Sequence, residues 1–187
     1  MKRSLGAKTL AYPTPVFIIG TYDAEGKPNI MNVAWGGICS SDPPSVAISV
    51  REATYTYGNL VNSQAFTVNV PSVSQVKQAD LAGICSGRDT DKFARAGLTA
   101  VRSNLVNAPY INEFSLVIEC RVIHTFDLGL HKQFVGQIMD VKAEEGILSQ
   151  DGHIEVAKLE PFIFAPHDNG YYRVGELIGQ AFSIGRP

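Results

Sequence analysis

The sequence predicts a mainly β fold, an antiparallel barrel of short strands with helices packed outside it. Three observations carry that expectation. Short β-branched and aromatic runs recur along the chain, each bounded by Gly, Pro or Asp turn signals. Few segments show helical spacing of apolar residues. Two long strand candidates in the second half are joined through Asp127-Leu128-Gly129-Leu130, a link that suits an antiparallel hairpin. A barrel of this kind closes its sheet edges and leaves a rim where loops can hold a ligand.

The elements follow in order. Val16 to Tyr22 reads as a strand, with Asp23-Ala24-Glu25-Gly26-Lys27 as the turn after it. Pro28 to Trp35 pairs back across that turn. Asp42-Pro43-Pro44 breaks the chain, and Val46 to Val50 forms a compact buried strand. Thr54 to Ser63 carries Tyr57, Leu60 and Val61 at helical spacing behind capping residues. Ala65 to Val70 is a further strand closed by Pro71, and Ser72 opens a helix through Ala82 with Ser72 or Ser74 as its cap. Ser115 to Phe126 and Lys132 to Lys142 are the two long strands. Pro161 to Phe164 is strand-like, and a Tyr-rich tail follows at Tyr171-Tyr172.

Composition bounds the class. The length of 187 residues suits one domain, with a C-terminal extension from about residue 175. A formal charge of -2 and scattered Lys and Arg argue against nucleic-acid binding, which needs clustered cations. No apolar stretch reaches bilayer-spanning length, and Met1-Lys2-Arg3-Ser4-Leu5-Gly6 lacks the apolar core of a secretory signal. Cys39, Cys85 and Cys120 are odd in number and widely spaced, which suits reduced thiols in the cytoplasm. Metal binding is not expected, since His124 and His131 have no ligands at metal spacing around them.

Polar residues that intrude on apolar strands are the candidate site, because each must find a partner once buried. Asn32 interrupts Ile30-Met31-Asn32-Val33-Ala34-Trp35. It could bond backbone at a bulge, or contact a planar polar ligand through its amide. Ser49-Val50-Arg51 ends a buried strand on a cation, and Thr54 and Thr56 follow at a helix start. A guanidinium and helix N-terminal amides are what a phosphate requires, although Arg51 could equally pair with Glu52 at the surface. Gly83-Ile84-Cys85-Ser86-Gly87-Arg88-Asp89-Thr90-Asp91-Lys92-Phe93 supplies flexible backbone, a hydroxyl and an ammonium, or else a plain solvated turn. Neither a Rossmann nor a P-loop motif is present. Cys85 beside Ser86 reads as a partly buried structural thiol. His131, at a strand start near a rim, suits contact with a bound ligand.

In order and spacing, these segments resemble the flavin reductase-like, FMN-binding split-barrel family, and within it the flavoredoxin branch. The resemblance rests on Asn29 to Gly37 with Asp42-Pro43-Pro44, on Ile48 to Arg51 through Thr54 and Thr56, and on Gly83 to Gly87 with Asp91-Lys92-Phe93. Ala65 to Pro71 and Gly129-Leu130-His131 add to it, and the match runs from about residue 10 to 175. It implies a six-stranded antiparallel Greek-key split barrel, a homodimer, and FMN as cofactor. It further implies that Asn32, Val33, Ala34 and Trp35 line the isoalloxazine, partly through backbone. Ser49, Val50 and Arg51 would follow the ribityl chain, while Thr54, Thr56, Ser86 and Lys92 would hold the phosphate. Asn69 would support them and His131 would sit by the ring face. The implied activity is transfer of hydride or electrons from NAD(P)H through FMN to free flavin, a ferric complex or a partner protein. No general acid or base is implied, because the hydride chemistry belongs to the cofactor. The alternative is an electron carrier with little direct NAD(P)H activity. Haem is disfavoured, since no histidine stands out as an axial ligand.

Overall fold

Residues 1–186 are described by a computed structural model. The strands are β1 (Thr14–Pro15), β2 (Phe17–Tyr22), β3 (Pro28–Val33), β4 (Gly36–Ser41), β5 (Pro44–Arg51), β6 (Ala65–Val70), β7 (Ala100–Arg102), β8 (Pro109–Ile111), β9 (Leu116–Leu128), β10 (His131–Ala143), β11 (Phe162–Ala165) and β12 (Gly170–Arg173). The helices are α1 (Tyr55–Ser63), α2 (Val76–Ile84), α3 (Lys92–Ala96) and α4 (Val156–Leu159).

Seven strands pair antiparallel in the order β3-β2-β6-β9-β10-β5-β4, where six were expected. The additional strand is β4. Its Gly36-Gly37 start and Cys39-Ser40-Ser41 end have little intrinsic β preference, so pairing with β5 makes it a strand. The edge strands β3 and β4 are joined by only Ala34 and Trp35, so the sheet must curl until its two ends meet. That curl is the barrel. Its interior is filled by Ile19, Val33, Ile48, Val50, Phe66, Val68, Cys120 and Phe134, contributed by alternate positions of the strands, with Leu60 of α1 plugging one end.

A second apolar layer forms outside β2 and β3. There Ile18 and Ile30 meet Ala79 and Ala82 of α2, Phe93 of α3, Ile111 and Phe162. This layer seats α2 and α3 against the barrel wall, which places the loop between them at the rim. The expected helix from Ser72 instead opens with a 3-10 turn over Val73–Gln75, and α2 follows it. Ser72 is the cap, as expected. Its amide donates to Gln75 Oε1 at 2.8 Å, the reach-back of a capping box.

A small sheet, β1-β11-β12, packs beside this layer, and β7 and β8 form a separate pair. The long hairpin β9–β10 turns over Asp127 to Leu130, as the sequence indicated. Asp127 accepts from the Gly129 amide at 2.8 Å, and Gly129 takes a φ of +78° there. After β12 the chain runs on from 174 to 186 without strand or helix. No helix among the described residues is long and apolar enough to cross a membrane.

Candidate functional site

The site is assembled where α1 begins. Thr54 caps the helix in an extended conformation, and its hydroxyl accepts from the Tyr57 amide at 3.3 Å. The first turn of α1 therefore opens towards the loop between α2 and α3. Asp91 caps α3 in the same way, accepting from Ala94 N at 3.1 Å, which fixes where Lys92 starts its side chain.

Between these two helix starts lies a cleft of about 320 Å³. Thr54, Thr56, Ser86 and Lys92, all expected at a phosphate, line it together. Met31, Tyr55, Cys85 and Arg88 complete the wall and were not anticipated for that role. No carboxylate faces into the cleft, which holds two cations, three aliphatic hydroxyls and a helix N-terminus. Such a donor set fits a phosphate dianion and would repel a cationic ligand.

Lys92 is the most constrained of these residues. It is only 4% exposed, yet among the described residues it has no carboxylate partner. Its ammonium donates to the Ala82 carbonyl at 2.7 Å, one of the unpaired acceptors in the last turn of α2. Burial pushes the Lys92 amine down to about 8, and neighbouring Cys85 offsets part of that fall. An anion in the cleft would supply the missing charge. Arg95 donates to the Cys85 sulfur at 3.4 Å, which holds the thiol at the cleft wall.

Gly87 explains the loop's shape. A β-carbon there would run into Asn29 Oδ1 and would lie 2.6 Å from the Tyr55 ring, so only glycine lets the loop lie this close to α1. Asn29 Oδ1 has no hydrogen-bond partner, while its Nδ2 donates to Thr56 Oγ1 at 3.0 Å. Thr56 is itself buried, and its hydroxyl joins the cleft to β3.

From the cleft, β5 leads back towards the β3–β4 link. The Ser49 amide donates to the Trp35 carbonyl at 2.8 Å, so the expected ring residues and ribityl residues are neighbours. Ala34, Trp35 and Ser49 are half-buried and Arg51 is exposed. Val33 and Val50 point into the barrel core, leaving only their backbone available to a ligand.

Three of the expected residues have partners within the chain. The Asn32 amide donates to the Ala79 carbonyl at 3.0 Å and to the Tyr171 hydroxyl at 3.4 Å, tying β3 to α2 and β12. Tyr171 in turn donates to Asp80 at 3.0 Å, and burial followed by that bond pushes its phenol up to about 12. Asn69 is fully buried and spent, donating to Ile18 O and Thr67 Oγ1 and accepting from Ile111 N. It is a tie between β2, β6 and β8. His131 stands opposite Arg51 in the β10–β5 ladder, at the C-terminal end of β5.

A larger recess of about 870 Å³ lies under the C-terminal segment. Its polar wall includes Glu155, Glu160 and Glu176 with Arg173, an acid-rich lining that does not suit phosphate.

A curled antiparallel sheet whose end strands meet without pairing, with an anion cleft at its rim, defines a split-barrel protein. Residues 9–167 match the flavin reductase like domain, and the chain belongs to that family. Its structure is similar to the flavoredoxin of Desulfovibrio vulgaris (Miyazaki F), at 53% identity with both chains covered completely and a TM-score of 0.95. It is also similar to a flavoredoxin from Methanosarcina acetivorans, at 30% identity over 100% of this chain and 97% of that one, TM-score 0.89. A split-barrel protein from Shewanella frigidimarina shares the fold at 21% identity, covering 98% and 100% of the two chains, TM-score 0.85.

Proposed function

We propose that this chain is an FMN flavoprotein that passes hydride or electrons from NAD(P)H to an acceptor such as free flavin, a ferric complex or a partner protein. The observation that carries this reading is the acid-free cleft formed by Thr54, Thr56, Ser86 and the buried, carboxylate-free Lys92 at the start of α1. Family membership supports a flavin as the phosphate-bearing ligand.

When bound, FMN supplies a ring that takes up and releases hydride or single electrons. The residues of this chain orient it. Lys92, Ser86, Thr56 and the α1 N-terminus would hold the phosphate, Thr54 would set that N-terminus through its cap while its hydroxyl donates to the Arg51 carbonyl at 2.8 Å, and Arg51 would add a guanidinium at the end of β5. The half-buried backbone from Ala34 to Trp35, joined to Ser49, offers amides and carbonyls to the ring. No side chain is asked to move a proton. We read the chain as one domain acting as a homodimer in the cytoplasm.

A second reading is favoured by the similarity to flavoredoxins: an electron carrier with tightly held FMN and little turnover of NAD(P)H. One experiment tests both. The purified protein is scanned for flavin absorption, then treated with dithionite and separately with NADH and NADPH. Bleaching by a nucleotide supports the reductase, and bleaching by dithionite alone supports the carrier. A colourless protein that takes up no added FMN would overturn the flavin reading.

A further inference from the structure

We propose that Arg88, Tyr55 and Asp23 form a stop at the far end of the phosphate cleft, which selects a flavin monophosphate over a flavin dinucleotide. The inference rests on the flavin reading above and adds a specificity that the fold by itself does not confer.

Beyond the cleft, the surface continues into a second groove of about 380 Å³. The two share Thr54, Tyr55 and Arg88, so these residues are the wall between them. Their chemistry differs sharply. The cleft contains no acid, whereas the groove is lined by the carboxylates of Asp23, Glu25 and Glu52. A monophosphate ends in the first compartment. The second phosphate of a dinucleotide continuing along this groove would meet three carboxylates, of which Glu52 is paired with Lys132 and Asp23 lies near Lys27, while Glu25 has no cation on it among the described residues and Arg88 stands at the wall.

The wall is held from several sides. Arg88 Nη1 donates to the Ala53 carbonyl at 3.0 Å, and its guanidinium carbon stands 5.8 Å from the Tyr55 ring centroid. The Tyr55 hydroxyl donates to Asp23 Oδ2 at 2.6 Å. Asp23 Oδ1 is engaged as well, accepting from the Glu25 amide at 2.9 Å and the Lys27 amide at 2.8 Å. Burial alone would raise the Asp23 carboxyl, yet the bonds from Tyr55, Lys27 and Glu25 hold it below the usual carboxylate range, so it is charged when the cofactor arrives. Gly87 is pressed against Tyr55 and Asn29, leaving the loop no room to swing away without breaking that packing. Glu52 is fixed by Lys132, which it meets at 3.1 Å.

The test is a titration of flavin-free protein with FMN, FAD and riboflavin, followed by flavin fluorescence. The native chain should bind FMN at least about tenfold more tightly than FAD, the discrimination expected of a like-charged groove. The Glu25→Gln, Glu52→Gln variant, which leaves Asp23 and its bond to Tyr55 intact, should tighten FAD and leave FMN within about twofold, since neither residue lines the phosphate cleft. Glu25→Gln alone, at an exposed position, should move the ratio in the same direction and guards against misfolding of the double variant. Equal affinity for FMN and FAD in the native chain would overturn the stop while leaving the flavin site standing. An unchanged ratio in the folded variants would do the same. Binding of none of the three flavins would overturn the flavin reading together with the stop.

Discussion

The Lys92 ammonium sits 2.7 Å from the Ala82 carbonyl oxygen, beneath the last turn of α2, with no carboxylate to balance it. Burial depresses its amine to about 8. A phosphate dianion in the cleft stabilises the protonated form, so the value rises in the complex. FMN affinity is thus fully present below pH 8 and falls as pH rises through 8, by up to about tenfold per pH unit, until the raised value in the complex is passed. The phosphate itself does not titrate in this window, since its second pKa is near 6. Dissociation constants measured across the window should show that slope, and Lys92→Met should bind more weakly with a flat profile. A flat profile in the native protein would remove Lys92 from the phosphate site.

Gly87→Ala is expected to open the loop. The added methyl meets Asn29 Oδ1 and the Tyr55 ring, neither of which is free to move, because Asn29 is bonded to Thr56 and Tyr55 to Asp23. Overpacking of this kind costs about 1–3 kcal/mol. Urea unfolding should show that loss in the flavin-free protein, and FMN should bind more weakly as the Ser86 hydroxyl is displaced.

Arg51→Ala should weaken FMN binding by about 1.5–3 kcal/mol, the worth of a charge-assisted hydrogen bond. The side chain is exposed at the end of β5, opposite His131, so folding should be unaffected. Calorimetric titration of the two proteins compares them directly, and equal constants would take Arg51 out of the site.

The residues that line the cleft were legible in the sequence, and those expected near a ring less so. Thr54 and Thr56 at a helix start, and Ser86 and Lys92 in a glycine-rich loop, are residue types whose chemistry narrows their role. The structure places all four around one cleft. Asn32 and Asn69 were not separable in this way, because a buried amide in a strand looks alike in sequence whether it serves a ligand or the protein. Their partners, Ala79, Tyr171, Ile18 and Ile111, lie far away along the chain. Tyr55 and Arg88 were passed over for a related reason, since only the close approach that Gly87 permits brings them together. Strand β4 was hidden because its glycines and serines become a strand only through pairing with β5.

Lys142→Met tests a different part of the molecule. The Glu119 carboxylate on β9 is fully buried and Lys142 is its ionic partner, with Asp140 sharing the same ammonium at 2.7 Å. Lys142 pairs with Glu119 Oε2, and Glu119 Oε1 has no hydrogen-bond partner among the described residues. Removing the cation leaves a buried charge uncompensated, which costs about 3–5 kcal/mol. Adding Glu119→Gln to that variant should restore part of the loss, because the neutral amide no longer needs the ammonium. Thermal and urea denaturation of both variants would show the rescue, and its absence would mean that Lys142 stabilises through its stem instead of its charge.

The β9–β10 hairpin carries the argument for a dimer. Ile123, Phe126, Leu128 and Leu130 are 37%, 49%, 58% and 65% exposed, and the residues around them from Ile123 to Leu130 are all open to solvent. Apolar side chains gathered at one end of a hairpin make this the surface on which the expected homodimer is tested. The turn also leads directly into His131 and its cross-strand neighbour Arg51, so a second copy seated here would lie next to the end of β5. Replacing Phe126 and Leu130 with Glu puts charge into that surface without touching the barrel core. Light scattering on the native protein should give twice the 20.3 kDa of one chain, and the double variant should fall to that single-chain mass. FMN affinity should fall with it if the second copy helps to shield the cofactor. A native protein that already runs at the single-chain mass would leave the hairpin without a partner of its own kind.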